Sequence, residues 1–262
     1  MRFARFVSGF DSTIYTGIGE EGRWRVIEGS VLTGEWRRTE ISFVEADVRF
    51  LAPLIPNEII GIGANYAKDA TQRATAPELP ILFMKPTTTV IGTEDVIRLP
   101  PGEESIKFES ELAVIIGHTA RNIEERRAQD YIFGYTIAND VTAPSYFHPN
   151  GHWMIGKCWD TFCPLGPIIE TELDPEATVV EAYVNGVRRQ RGETRLMLTS
   201  VSRMVAYVSA FMTLKPGDVL LTGTPGGAGP VSDGDVVECR IAGIGRLRNR
   251  VAKASAAEEG LR

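Results

Sequence analysis

Short apolar runs separated by Gly, Pro and Asn or Asp turns make up most of the chain. Residues 1–52 alternate such runs around "EEGRW" and "LTGEW" with no apolar period of helical length. That pattern predicts a small β-rich N-terminal domain. Pro53 and Pro56 in "LAPLIPNEIIGIG" mark the boundary, and residues 53–262 form the second domain. Its β runs include "ELAVIIG", "GYTIAND", "TVVEAYVNG" and "DVLLTGTP", followed by the pair "VVECRI" and "GRLRNRV". In that pair Val237, Cys239 and Ile241 fall on one face, while Arg246, Arg248 and Arg250 share an outward, solvated one. Two helices are expected. One covers "IEERRAQDYI" behind Asn122 as N-cap. The other starts at Thr199 or Ser200, places Val201, Met204, Val205, Val208, Phe211 and Met212 at helical spacing against the core, and stops at "KPGD". The fold class read from this pattern is α+β, mainly β.

Composition narrows the function. The 262 residues are 43% hydrophobic, ordinary for a globular chain, and the formal net charge is −6. An acidic surface argues against nucleic acid or an anionic membrane as partner, which leaves a small molecule. No window approaches a membrane helix and the N-terminus lacks the long apolar segment of a signal peptide, so a cytoplasmic protein is expected. The three cysteines, Cys158, Cys163 and Cys239, cannot pair completely and are read as buried thiols.

Candidate chemistry begins at "KFESELAVIIG", residues 107–117. In a strand Glu109 and Glu111 project from one face, together with Lys107. Two adjacent carboxylates at the edge of a core repel each other unless a cation compensates. Asp140, closing the strand "GYTIAND", completes a three-carboxylate face suited to Mg²⁺ or Mn²⁺. The same spacing also fits an exposed strand face neutralised by Lys107. His148 and His152 in "HPNGH" stand four apart, but Pro149 and Gly151 break the helix a zinc-binding pair needs.

Beyond these residues, "FESELAVIIG", "GYTIANDVTA", "GKCWDTFCPLGP", "YVNGVRRQ" and "FMTLKPGDVLLTGTPGGAGP" follow one another in an order that resembles the fumarylacetoacetate hydrolase family, over residues 55 to 252. The resemblance implies a mixed β-sandwich roll, a homodimer, and Mg²⁺ or Mn²⁺ held by Glu109, Glu111 and Asp140. It implies action on 2-oxo or 2,4-dioxo acids, such as acylpyruvates, through a metal-stabilised enolate. Lys157 matches the family lysine, which restores neutrality beside three carboxylates and a divalent ion. Asn65, Tyr66, Lys85 and Thr224 are its candidate substrate contacts.

The chain departs from the family pattern in two places. Where hydrolytic relatives carry a histidine and a glutamate that activate water, "NYAKDATQ" has Asp69 and Gln72. After the metal aspartate, "VTAPSYF" places Pro144 and Phe147 where relatives hold substrate with arginine and glutamine, so Tyr146 and Phe147 become candidate contacts in a more apolar pocket. C–C hydrolysis is the family default and requires Asp69 to serve as the base in place of the missing histidine. Decarboxylation and keto–enol isomerisation need no activated water. A metal-holding binding protein without turnover is the reading from another class.

Overall fold

The computed structural model describes residues 1–9, 12–67 and 79–253. The N-terminal part forms β1 (Arg2–Ser8), β2 (Ile14–Glu20), β3 (Arg23–Ser30), β4 (Glu35–Val44) and β5 (Val48–Phe50). Then come β6 (Ile59–Gly63), β7 (Ile81–Lys85), β8 (Val90–Ile91), β9 (Val96–Leu99), β10 (Ser105–Phe108), β11 (Ser110–Ile116) and β12 (Ile132–Asn139). A helical turn, α1 (Met154–Lys157), precedes β13 (Cys163–Glu170), β14 (Val179–Val184) and β15 (Val187–Glu193). Helix α2 (Val201–Phe211) leads to β16 (Val219–Leu221), β17 (Gly229–Ser232), β18 (Val236–Ile241) and β19 (Gly245–Lys253).

The main sheet runs β4-β3-β2-β1-β13-β12-β11-β16-β6-β7, and a second sheet runs β15-β14-β18-β19-β9. β11 is buried along its whole length because β12 and β16 flank it and both faces are covered. Alternation sorts its side chains into two cores. Leu112, Val114 and Ile116 pack with the second sheet's Val180, Val237 and Leu247 and with Val205 and Val208 of α2. Ala113 and Ile115 pack on the other face with Phe3, Ile18 and Ile27 from the N-terminal strands. The architecture is therefore mainly β, as the pattern predicted, with the two packed sheets that the resemblance implied.

The expected helices fare differently. α2 forms with Ser200 as N-cap, its side chain accepting from the Arg203 N–H at 3.2 Å. Val201, Met204, Val205 and Val208 are buried, but Phe211 is 53% exposed and packs edge-on against Tyr207. The last turn has run past the core. "IEERRAQDYI" is not an α-helix: residues Glu125–Tyr131 form a 3-10 helix. Asn122 does not cap it, because its φ of 51° is left-handed whereas an N-cap is extended. The Asn122 and Ile123 N–H groups instead donate to the Ser209 carbonyl and hydroxyl, which docks this segment against α2. In the closing strand pair, Val237, Cys239 and Ile241 are buried, and Arg246 and Arg250 are exposed, as read. All three cysteines are free thiols, and burial pushes Cys163 and Cys239 up to about 12.

Candidate active site

Glu109 occupies the joint between β10, which pairs with β17, and β11, which enters the main sheet. The segment is therefore two strands that turn from one sheet to the other at Glu109, not one continuous strand. The Glu109 N–H donates to Asn139 Oδ1 at 2.9 Å, and the Asp140 N–H donates to the Glu109 carbonyl at 2.9 Å. These bonds fix the end of β12 against the joint. Carboxylate oxygens of Glu109, Glu111 and Asp140 all lie within 4.8 Å of one another, and all three residues are buried. The exposed-face alternative does not hold.

Two lysines meet this cluster. Lys157, at the end of α1, donates to Glu109 Oε2 at 2.8 Å and to Asp140 Oδ2. Lys85, at the end of β7 and 1% exposed, donates to Asp140 Oδ1 at 2.6 Å and to the Val141 carbonyl at 3.0 Å. Lys107 is half-exposed and reaches Glu109 Oε1 at 2.6 Å. Burial pushes the Asp140 carboxyl up, but Lys157 and Lys85 outweigh it and hold the group below the usual range. Glu111 has no such partner: burial, then Asp140 and Glu109, push it well above its ordinary value. Burial alone would lower Lys157, and the charges of Asp140 and Glu109 reverse that and raise it.

The loop after β16 closes the other side. The Gly223 N–H donates to Glu111 Oε2 at 2.7 Å. Only glycine suits this position, since its φ is 90° and a Cβ would fall 2.7 Å from Asn65 Cβ. Thr224 Oγ1 donates to the Ser110 carbonyl at 2.8 Å and accepts from Gln190 Nε2 at 2.9 Å, while Gln190 also reaches the Pro225 carbonyl at 2.7 Å. The loop is thereby pinned along β11. A cavity of about 480 Å³ opens above the carboxylates, within the ordinary range for a small-molecule site.

Of the predicted substrate contacts, Tyr66, Phe147 and Thr224 line this cavity. The Tyr66 hydroxyl is buried with no hydrogen-bond partner among the described residues, and burial, then the Glu111 charge, raises its pKa. Three candidates are placed elsewhere. Asn65 spends its side chain on the Thr199 and Thr222 carbonyls and the Thr199 N–H, so it braces the loop from behind. Lys85 sits behind Asp140, outside the described cavity lining. Tyr146 packs edge-on against Trp159 at 5.0 Å. Asp69 and Gln72 lie outside the described residues. Phe83, Trp153 and Gln190 went unread in the sequence. Isolated aromatics and a lone glutamine in an arginine-rich strand carry no spacing signal.

Residues 58–252 match the family described as fumarylacetoacetate (FAA) hydrolase C-terminal. The chain belongs to the fumarylacetoacetate hydrolase family. Residues 1–53 match a second description, Rv2993c-like, N-terminal. A mitochondrial oxaloacetate tautomerase from Xenopus laevis is 40% identical over 79% of this chain and 69% of its own length. Among solved structures, 5-carboxymethyl-2-hydroxymuconate delta-isomerase from Mycobacterium smegmatis superposes with a TM-score of 0.89 at 41% identity, covering 97% of this chain and 100% of that one. Maleylpyruvate hydrolase from Sphingobium sp. SYK-6, in complex with manganese(II) ion and pyruvate, has a TM-score of 0.78 at 30% identity with the same coverage. This family of enzymes thus includes isomerases, tautomerases and hydrolases on one fold. The acidic triad of this member fits a hard divalent cation, because its donors are all carboxylate oxygens and one carboxyl is left without a cationic partner.

Proposed function

We propose that this family member is a divalent-metal-dependent enzyme that interconverts keto and enol forms of a 2-oxo or 2,4-dioxo acid. The observation that carries this reading is the buried triad of Glu109, Glu111 and Asp140 with Lys157 beside it and the unpartnered Tyr66 hydroxyl in the same cavity. When bound at the triad, Mg²⁺ or Mn²⁺ supplies Lewis-acid polarisation of the 2-oxo group. Lys157 and Tyr66 both hold their protons, so each offers positive charge or a hydrogen bond to oxygen as charge develops there. Thr224 and the loop that carries it, Gly223 to Ala228, line the same space.

Among the described residues the cavity lining has no histidine, and its carboxylates are those of the triad. Keto–enol exchange then takes Lys157 or Tyr66 as the proton donor at oxygen and leaves Asp69 as the acceptor of the carbon proton, with no water to activate. Two relatives at about 40% identity, named a tautomerase and an isomerase, support the same reading. Hydrolysis of a C–C bond is the second reading. The manganese- and pyruvate-bound maleylpyruvate hydrolase favours it, and here it needs Asp69 as base. Decarboxylation shares the enolate and would show as loss of carbon dioxide.

The test is to follow the enol absorbance of several 2-oxo acids with Mg²⁺-loaded protein in ¹⁸O-labelled water. Metal-dependent acceleration of enol–keto exchange without label in product carboxylates is the expected result. Label in a new carboxylate would establish hydrolysis instead, and no metal-dependent change in any substrate would establish the binding-protein reading.

A further inference from the structure

Resting on the 2-oxo acid reading above, we propose that the cavity ends in a built apolar subsite, and that the preferred substrates carry one carboxylate and an uncharged aromatic or alkyl tail, not a second carboxylate. Phe83, Phe147 and Trp153 line the cavity together. Phe147 and Trp153 stack with centroids 5.8 Å apart and planes 19° from parallel, and Phe83 meets Trp153 at 6.2 Å.

Each ring is seated on a glycine. A Cβ on Gly61 would lie 2.0 Å from Phe83 Cζ, one on Gly63 would lie 2.2 Å from Trp153 Cζ3, and one on Gly156 would lie 2.6 Å from Phe147 Cδ1. Any larger residue at these positions would push its ring out of place. The wall is therefore fixed by the backbone of β6 and α1, and it is continuous with the charged end of the site, since Lys157 Nζ stands 4.6 Å from the Phe83 ring centroid.

Charge points the same way. Beyond Lys157, Lys107 is the other cation in the described lining, and both are engaged by Glu109, at 2.8 Å and 2.6 Å. A distal carboxylate brought against the rings would lose water and face the negative side of their quadrupoles. An apolar tail there gains the burial of its surface. The cavity of about 480 Å³ also exceeds what the three-carbon 2-oxo acid group requires.

Calorimetric titration of the Mg²⁺-loaded protein with oxalate, oxaloacetate and phenylpyruvate separates this inference from the reading beneath it. Oxalate, which has no tail, is expected to bind only with the metal. Phenylpyruvate is expected to bind at least about tenfold more tightly than oxaloacetate, about 1.4 kcal/mol. Trp153→Ala should erase most of that margin, and Phe147→Leu gives the same comparison with smaller disturbance if Trp153→Ala does not fold. Oxaloacetate binding as tightly as phenylpyruvate, or an unchanged margin in the folded variants, overturns the apolar subsite while leaving the metal site standing. Absence of metal-dependent oxalate binding overturns both.

Discussion

Burial and two neighbouring carboxylates raise Glu111, so the metal-free fold binds a proton there that the unfolded chain has given up. Stability from this group is accordingly lost as pH rises from the unfolded carboxyl value, 4.5, through the folded one. Asp140 has the opposite sign, its contribution being lost only as pH falls through its lowered value. Metal-free protein should therefore melt at progressively lower temperature as pH rises through the Glu111 window. Glu111→Gln should flatten that slope and abolish stabilisation by Mg²⁺, since an ion bound only to the native state raises its stability by mass action. Melts of both proteins with and without Mg²⁺ check this, and an undiminished metal response in the variant would sink the assignment. Cation binding must also displace the Glu111 proton, so affinity should rise with pH and calorimetry in buffers of different ionisation enthalpy should register proton release. At this scale the carboxylates were legible because carboxylates in an apolar run demand a cation, and Lys157 because its motif resembles the family's. Asn65, Lys85 and Tyr146 lie off the described cavity lining, and sequence does not say whether a polar side chain faces the cavity or the loop behind it.

At the scale of elements, alternation and turns read correctly where one element has one covered face, as in β18 and β19. They fail where tertiary contacts redirect the chain: Glu109 is a corner between sheets, and Ser209 pulls Asn122 and Ile123 into a turn that ends as a 3-10 helix. α2 was legible from its stripe and its cap together. Ser200→Ala should cost roughly 1 kcal/mol of stability, the usual value for a lost cap, with substrate affinity unchanged. Denaturant titration measures the first and calorimetry the second. Gly63→Ala tests the opposite case, an element whose shape serves the site. Its Cβ would fall 2.2 Å from Trp153 Cζ3 and displace that ring, so the tryptophan emission spectrum should shift and turnover of aromatic-tailed substrates should fall by about tenfold or more. An unchanged spectrum and rate would show that the ring has other places to rest.

For the whole molecule, the sequence suggests two units but the sheet is continuous. β1 pairs with β13 through Arg2↔Glu170 and Phe3↔Ile169, and the N-terminal ammonium donates to Thr171 Oγ1 at 2.7 Å. Phe3, Ile18 and Ile27 share one core with Ala113, Ile115, Leu165, Ile169 and Val219, residues of the strands that carry the site. Removing residues 1–52 would expose that face and leave the edge of β13 unpaired. Each large apolar side chain contributes about 1.5–3 kcal/mol when buried, so losing three or more approaches the roughly 5–15 kcal/mol that holds a typical domain folded. An exposed edge strand adds a template for aggregation. A fragment of residues 53–262 should therefore be poorly soluble or melt well below the full chain, and it should bind a hydrophobic dye where the full chain does not. Metal would restore little of that loss, because an ion at the triad ties together the ends of β11 and β12 and covers none of the apolar surface that the N-terminal strands had buried. A soluble fragment with the melting temperature and Mg²⁺ response of the full chain would show instead that the first 52 residues are an appendage and that the catalytic sheet is stable with one face open.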